Sequence, residues 1–282
     1  MHSSMAPGAS DGLSEIADGV FKCPLTGLVV RGPSGVPVWR VHGREYGPLN
    51  PQVRDGEPDF SWSRFDSKNT ATVYAAEERM GAFQEALDYG DRGDNELVFT
   101  LIQLGISAID SPKSQWARLG HGSFERPDVP ADWHEKSQIC KLQVASGFYV
   151  DVCHPDTIGA LRRRIADRAH IDPRNVDQGI LLGPNRRLTC FIAESLLAEI
   201  LANGSSPSGV TYTSRHGSLS CWALWVPIFD VHDTRSENMW NAFRGMLAED
   251  PVVENIDPDD PDLLQAAQNL GLRPRTSPAQ SR

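Results

Sequence analysis

Four stretches of this 282-residue chain hold side chains that could do chemistry. Arg40 follows the apolar "VPVW", and Arg64 sits between Trp62 and Phe65 in "WSRFD". Guanidinium groups among aromatic neighbours suit bidentate recognition of phosphate or carboxylate, with ring stacking as support. Equally, such arginines can snorkel over hydrophobic surface. Glu85 lies in "EERMGAFQEALD", Glu77 to Asp88. If that stretch is helical, Met80, Phe83 and Leu87 share the core face, and Glu85 stands nearly opposite, where most glutamates face solvent. Gly81, one turn earlier, would leave a slot free of side chain. Ser214, Arg215 and His216 follow "GVTYT", at a strand end where mixed sheets often place polar groups; His216 there could act as a base or simply be surface. The chain has no G-x-S-x-G elbow, no G-x-G-x-x-G, no Walker A and no H-E-x-x-H. A nucleotide would therefore have to be held by arginine and backbone.

The elements that must position these residues are legible as short apolar runs. Structure is expected to begin at Val20 to Val30, with strands at 36–41, 71–75, 95–107, 148–153, 209–214 and 221–229. Helices are expected over 77–88, 155–169 and 188–204. In the helix over 155–169, Asp156 stands in the first turn and "LRRR" further along, an order that suits the macrodipole. Residues 188–204 show Phe191, Leu197, Ile200 and Leu201 at near-helical spacing, with Gly204 as the stop. The polar, proline-punctuated 110–136 reads as an insertion. Residues 1–19 read as a disordered N-terminal tail. Residues 247–282 open with seven Asp and Glu and no intervening Lys or Arg, and read as an acidic, mostly flexible tail. In it "LLQAAQNLGL" could form a short docking helix.

A net charge of −10 disfavours nucleic acid or an anionic membrane as the main partner, yet leaves room for one basic cleft. The five cysteines are scattered and form no C-x-x-C pair, which argues against a disulfide framework or a structural zinc and suits a reducing cytoplasm. No apolar run reaches membrane-spanning length, and the N-terminus lacks the pattern of a signal peptide. No metal site is expected.

The order of the motifs adds a further reading. "VWRVHGREYGPLN", "SRFD", "TVYAAEERMGAFQEAL" and "GVTYTSRHG" together resemble the RES-domain family, named for its Arg, Glu and Ser, from about Val36 to Phe229. "FYVDVCHPDTIGALRRRI" is similar as well. Two departures stand out: Ser63 and Asp66 replace the family's usual Gly and Asn around Arg64, and 110–136 is longer than usual. The resemblance implies an α+β fold, a single mixed domain like the ADP-ribosyltransferase fold with central β-sheets flanked by helices, here over 20–246. It implies attack on NAD by phosphorolysis or hydrolysis, in a toxin of a toxin–antitoxin system, or else protein mono-ADP-ribosylation. Carried over residue by residue, Glu85, Arg40 and Ser214 would be catalytic, and Arg64, Tyr74, Tyr46, Arg215 and His216 would bind NAD. No permanently bound cofactor is implied; NAD is substrate, and inorganic phosphate is a candidate co-substrate. The implied partner is an antitoxin with a helix-turn-helix DNA-binding domain, and a homo-oligomer stays open. The reading of another class is a catalytically silent protein that binds a nucleotide or a partner.

Overall fold

The computed structural model describes residues 11–32, 35–49, 51, 53–58, 62–90, 128–129, 132–165, 172–183, 185–227 and 241–274. In chain order its strands are β1 (Ser14–Ala17), β2 (Val20–Lys22), β3 (Val29–Arg31), β4 (Val36–Gly43), β5 (Val53–Arg54), β6 (Thr70–Ala76), β7 (Asp128–Val129), β8 (Ser137–Val144), β9 (Tyr149–Asp151), β10 (Gly209–Thr213), β11 (Ser220–Pro227), β12 (Val252–Asn255) and β13 (Arg273–Pro274). The helices are α1 (Arg79–Gly90), α2 (Trp133–Lys136), α3 (Pro155–Arg164), α4 (Gln178–Leu181), α5 (Arg186–Leu197) and α6 (Pro261–Leu270). One large sheet runs β1-β2-β3-β9-β10-β11-β6-β4-β8-β12, with β5 on the side of β6. Among the described strands of this sheet only β9 and β10 pair parallel. This is the mixed α+β architecture expected, with helices against a central sheet.

Alternation along β6 and β11 explains why the sheet is buried on both faces. Val73, Trp222, Leu224 and Val226 pack with Val38, Leu142 and Phe243 on one side. Cys221, Ala223 and Trp225 point the other way, toward Phe83 of α1, Leu161 of α3 and Ile192 of α5. Phe83 and Leu87 are buried as the helical spacing requires, and Met80 packs partly buried beside them.

Several expectations change. The helix expected over 188–204 starts at Arg186 and stops at Leu197, and Ile200 is exposed. The chain turns before Gly204 instead, so the Leu197-Ile200-Leu201 spacing does not continue a helical face. The tail expected over 1–19 contains β1, which closes a hairpin on β2 through Asp18-Gly19 with Ala17 opposite Val20. Gly19, at φ +67°, supplies the left-handed residue that reverses the chain there, and the turn outweighs the polar composition around it. The tail expected to be flexible over 247–282 contains β12, which extends the sheet beside β8, and α6, which packs on α1. Asp260 caps α6 at its N-terminus and Gly271, left-handed, ends it. Its acidic residues are not simply solvated, because Arg79 at the start of α1 holds Glu254 and Asp260 at 2.7 Å each. The strand expected at 95–107 and most of the insertion at 110–136 lie outside the described residues. At the end of that insertion, Trp133 packs with Phe83, ring centres 6.3 Å apart.

Candidate active site

β4 pairs with β8 along its whole length but meets β6 only at Trp39 and Ala76. Beyond that point the strands part, and Arg40 reaches across the gap to the Tyr74 carbonyl at 3.2 Å. A cleft of about 360 Å³ opens there, walled by β4, the 63–66 turn, β6, α1, the start of α5 and Tyr212. Its ionisable lining holds four guanidiniums, Arg40, Arg54, Arg64 and Arg186, against two carboxylates, Asp66 and Glu85. An acidic chain thus concentrates positive charge in one concave place, as a site for an anionic ligand requires.

The turn carrying Arg64 is over-determined by its neighbours. Asp66 accepts from Arg54 Nε at 2.7 Å, from its own turn's Ser63 N–H at 2.8 Å and from the Tyr74 hydroxyl at 2.8 Å. That hydroxyl in turn accepts from the Phe65 N–H, while the Phe65 carbonyl accepts from Trp225 Nε1 at 2.8 Å. From α5, the Cys190 thiol donates to the Ser63 carbonyl. Asp66 is therefore neutralised within the fold by the buried Arg54, and the turn keeps its shape. Arg64 emerges from it with its guanidinium 5.9 Å over the Tyr212 ring. Burial, then the charge on Asp66, hold the Tyr74 phenol far above its ordinary range, so it stays a neutral strut.

Across the cleft, Glu85 faces inward rather than out to solvent. Ser214, only 3% exposed at the end of β10, donates its hydroxyl to Glu85 Oε1 at 2.7 Å. The Ser214 hydroxyl oxygen itself accepts the His216 N–H at 3.1 Å. Ser214 thus fixes the carboxylate without lining the cleft. The slot expected at Gly81 is not open: a Cβ there would meet Ala76 at 3.1 Å and Leu219 at 3.2 Å. That glycine lets α1 press onto the 214–219 turn, which brings Glu85 to Ser214.

The structure brings Arg40, Arg64, Tyr74 and Glu85 to one cleft, with Ser214 directly behind Glu85. It does not bring in Tyr46, which stands 61% exposed on the turn after β4 and packs against Gly43. Arg215 and His216 sit on the outer loop beyond Ser214, where Arg215 Nε donates to His216 Nε2 at 3.0 Å. Two residues that sequence reasoning missed belong to the lining. His42, 6% exposed, directs Nδ1–H to the Gly43 carbonyl at 3.1 Å, which leaves Nε2 without a proton or a partner. Burial and the nearby Arg40 depress its pKa. Its period-two spacing from Arg40 on β4 was the available signal. Arg186 opens α5, and no motif marks it.

Residues 37–146 match the family model of the RES domain. The RES match includes Arg40, Arg64, Tyr74 and Glu85 and ends before Arg186, which lines the cleft, and Ser214, which stands behind Glu85. A chain in the crystal structure of the M. tuberculosis MbcT–MbcA toxin–antitoxin complex aligns with 10% identity over 88% of this chain and 93% of its own length, with a TM-score of 0.36. A likeness that faint carries no inference. No curated protein sequence matches the chain.

Proposed function

We propose that the protein consumes NAD by cleaving the bond between nicotinamide and ribose. The observation that carries this reading is the inward-facing Glu85, held by Ser214 in a cleft otherwise rich in guanidinium groups. As the C1′–N bond breaks, nicotinamide leaves neutral with the bonding electron pair, and positive charge builds on the ribose. A carboxylate beside that carbon stabilises the oxocarbenium-like transition state, as in glycoside cleavage. Arg40 and Arg64 would hold the pyrophosphate by charge-assisted bonds. Tyr74, which lines the cleft, would meet the nicotinamide with its ring, since its hydroxyl is already committed to Asp66. Water adding to C1′ gives ADP-ribose and a proton; phosphate adding there gives the phosphorylated sugar. In the same reading the protein is a toxin kept in check by a partner that covers the cleft.

The test is to incubate purified protein with NAD, with and without phosphate, and follow nicotinamide by chromatography. Release that needs phosphate selects phosphorolysis, release without it selects hydrolysis, and label passing to protein selects ADP-ribosylation. No release under any condition, with unchanged growth on expression, overturns the proposal in favour of a silent binding protein.

A further inference from the structure

We propose that Arg186 is a third anion-binding residue of the cleft, holding a phosphoryl group together with Arg64. The inference deepens the NAD reading above, but its ligand is defined by charge and is tested by binding alone. Arg186 lines the cleft, and its Nη1 is buried with no hydrogen-bond partner. Among the described residues no carboxylate forms an ion pair with it. Its surroundings are hostile to a cation in three ways. Burial and the like charges of Arg64 and Arg215 push its pKa down. The first turn of α5 holds no acid, and the exposed N–H groups there already carry partial positive charge.

No structural task explains the residue's place. The helix start is capped without it, since Asn185 accepts the Leu188 N–H at 3.2 Å. Cys190 and Glu194, one and two turns on, hold the 63–68 segment against α5. Arg186 therefore stands as an uncompensated charge beside Arg64, which itself has a buried Nε without a partner. Two forked, permanently charged groups on adjoining walls, with no protein anion between them, fit a phosphoryl group. Two sources share that chemistry: the pyrophosphate of a dinucleotide, and inorganic phosphate entering as a co-substrate.

Titration calorimetry with ADP-ribose and, separately, inorganic phosphate on wild type, Arg186→Gln and Arg186→Lys tests this, alongside ligand-free melting temperatures. The expected result is that Arg186→Gln weakens binding about tenfold or more for at least one probe, because a charge-assisted bond is lost. Arg186→Lys, which keeps the charge and loses the fork, should fall between. Weakening confined to ADP-ribose assigns the pyrophosphate, and weakening confined to inorganic phosphate assigns the co-substrate. Ligand-free Arg186→Gln should melt no lower than wild type, since it relieves the like-charge contact. Unchanged affinity for both probes overturns the proposal, as does a wild type that binds neither. A ligand-free melting temperature several degrees lower in both variants also overturns it, since that marks a structural arginine. NAD turnover in the wild type stands apart from all of these results, so the two proposals can fail separately.

Discussion

Glu85→Gln keeps an oxygen to accept from Ser214 and removes the charge that faces the cleft. Under the proposed chemistry nicotinamide release should fall roughly 10²–10³-fold with an unchanged melting temperature. Ser214→Ala leaves the carboxylate in place but loose, and the rate should fall about tenfold, the cost of one charge-assisted bond; single-turnover kinetics separate that loss from product release. His42 gives a stability signature independent of turnover. Its folded pKa lies below the unfolded imidazole value of about 6.5, so between the two the unfolded chain binds more protons. Stability attributable to His42 is thus full above that value and lost as pH falls through the folded one, and His42→Gln should flatten the acid side of a melting curve taken against pH. How readable these residues were follows from their physics. Arg40, Arg64 and Glu85 carry motif order in the sequence, whereas the direction Glu85 faces is decided by Gly81 pressing against Leu219, a contact across the fold. Arg186 looks like any basic residue at a helix start until tertiary packing half-buries it against the cleft.

Strands and helices follow local patterning where packing agrees with it. β4, β6, β10 and β11 fall within a residue or two of the hydrophobic runs, because each buries alternate side chains on the two faces of one sheet. Helix α5 ends well short of Gly204 because the chain turns over residues 199–204, where the Leu201 N–H bonds to the Ser205 carbonyl, a choice no helical period encodes. Gly209 tests how tightly this sheet is built. A Cβ there would come within 2.1 Å of the Ala223 carbonyl on β11, which the β10–β11 pairing does not let move. Gly209→Ala should cost on the order of 3 kcal/mol of stability, measured by denaturant unfolding, with part of the activity lost through Ser214 at the far end of the same strand.

At the scale of the molecule, the acidic C-terminal region is joined to the helix that carries Glu85. Arg79 gathers Glu254 and Asp260 while its guanidinium lies 5.0 Å over the Trp39 ring of β4. Composition could not show this, since the partner stands 181 residues before Asp260. Arg79→Met should lower stability by roughly 2 kcal/mol, less than a fully buried pair because Glu254 is half exposed. Amide exchange should speed up in α6 before it does in α1.

The same long separations govern when the cleft comes into being. Glu85 waits for Ser214, 129 residues later, and β6 waits for β11 to complete its ladder. A chain emerging from the ribosome therefore exposes its carboxylate long before it owns the serine that aims it or the α5 arginine across from it. Under the proposed chemistry, a copy stopped before β10 has no aimed carboxylate and should release no nicotinamide.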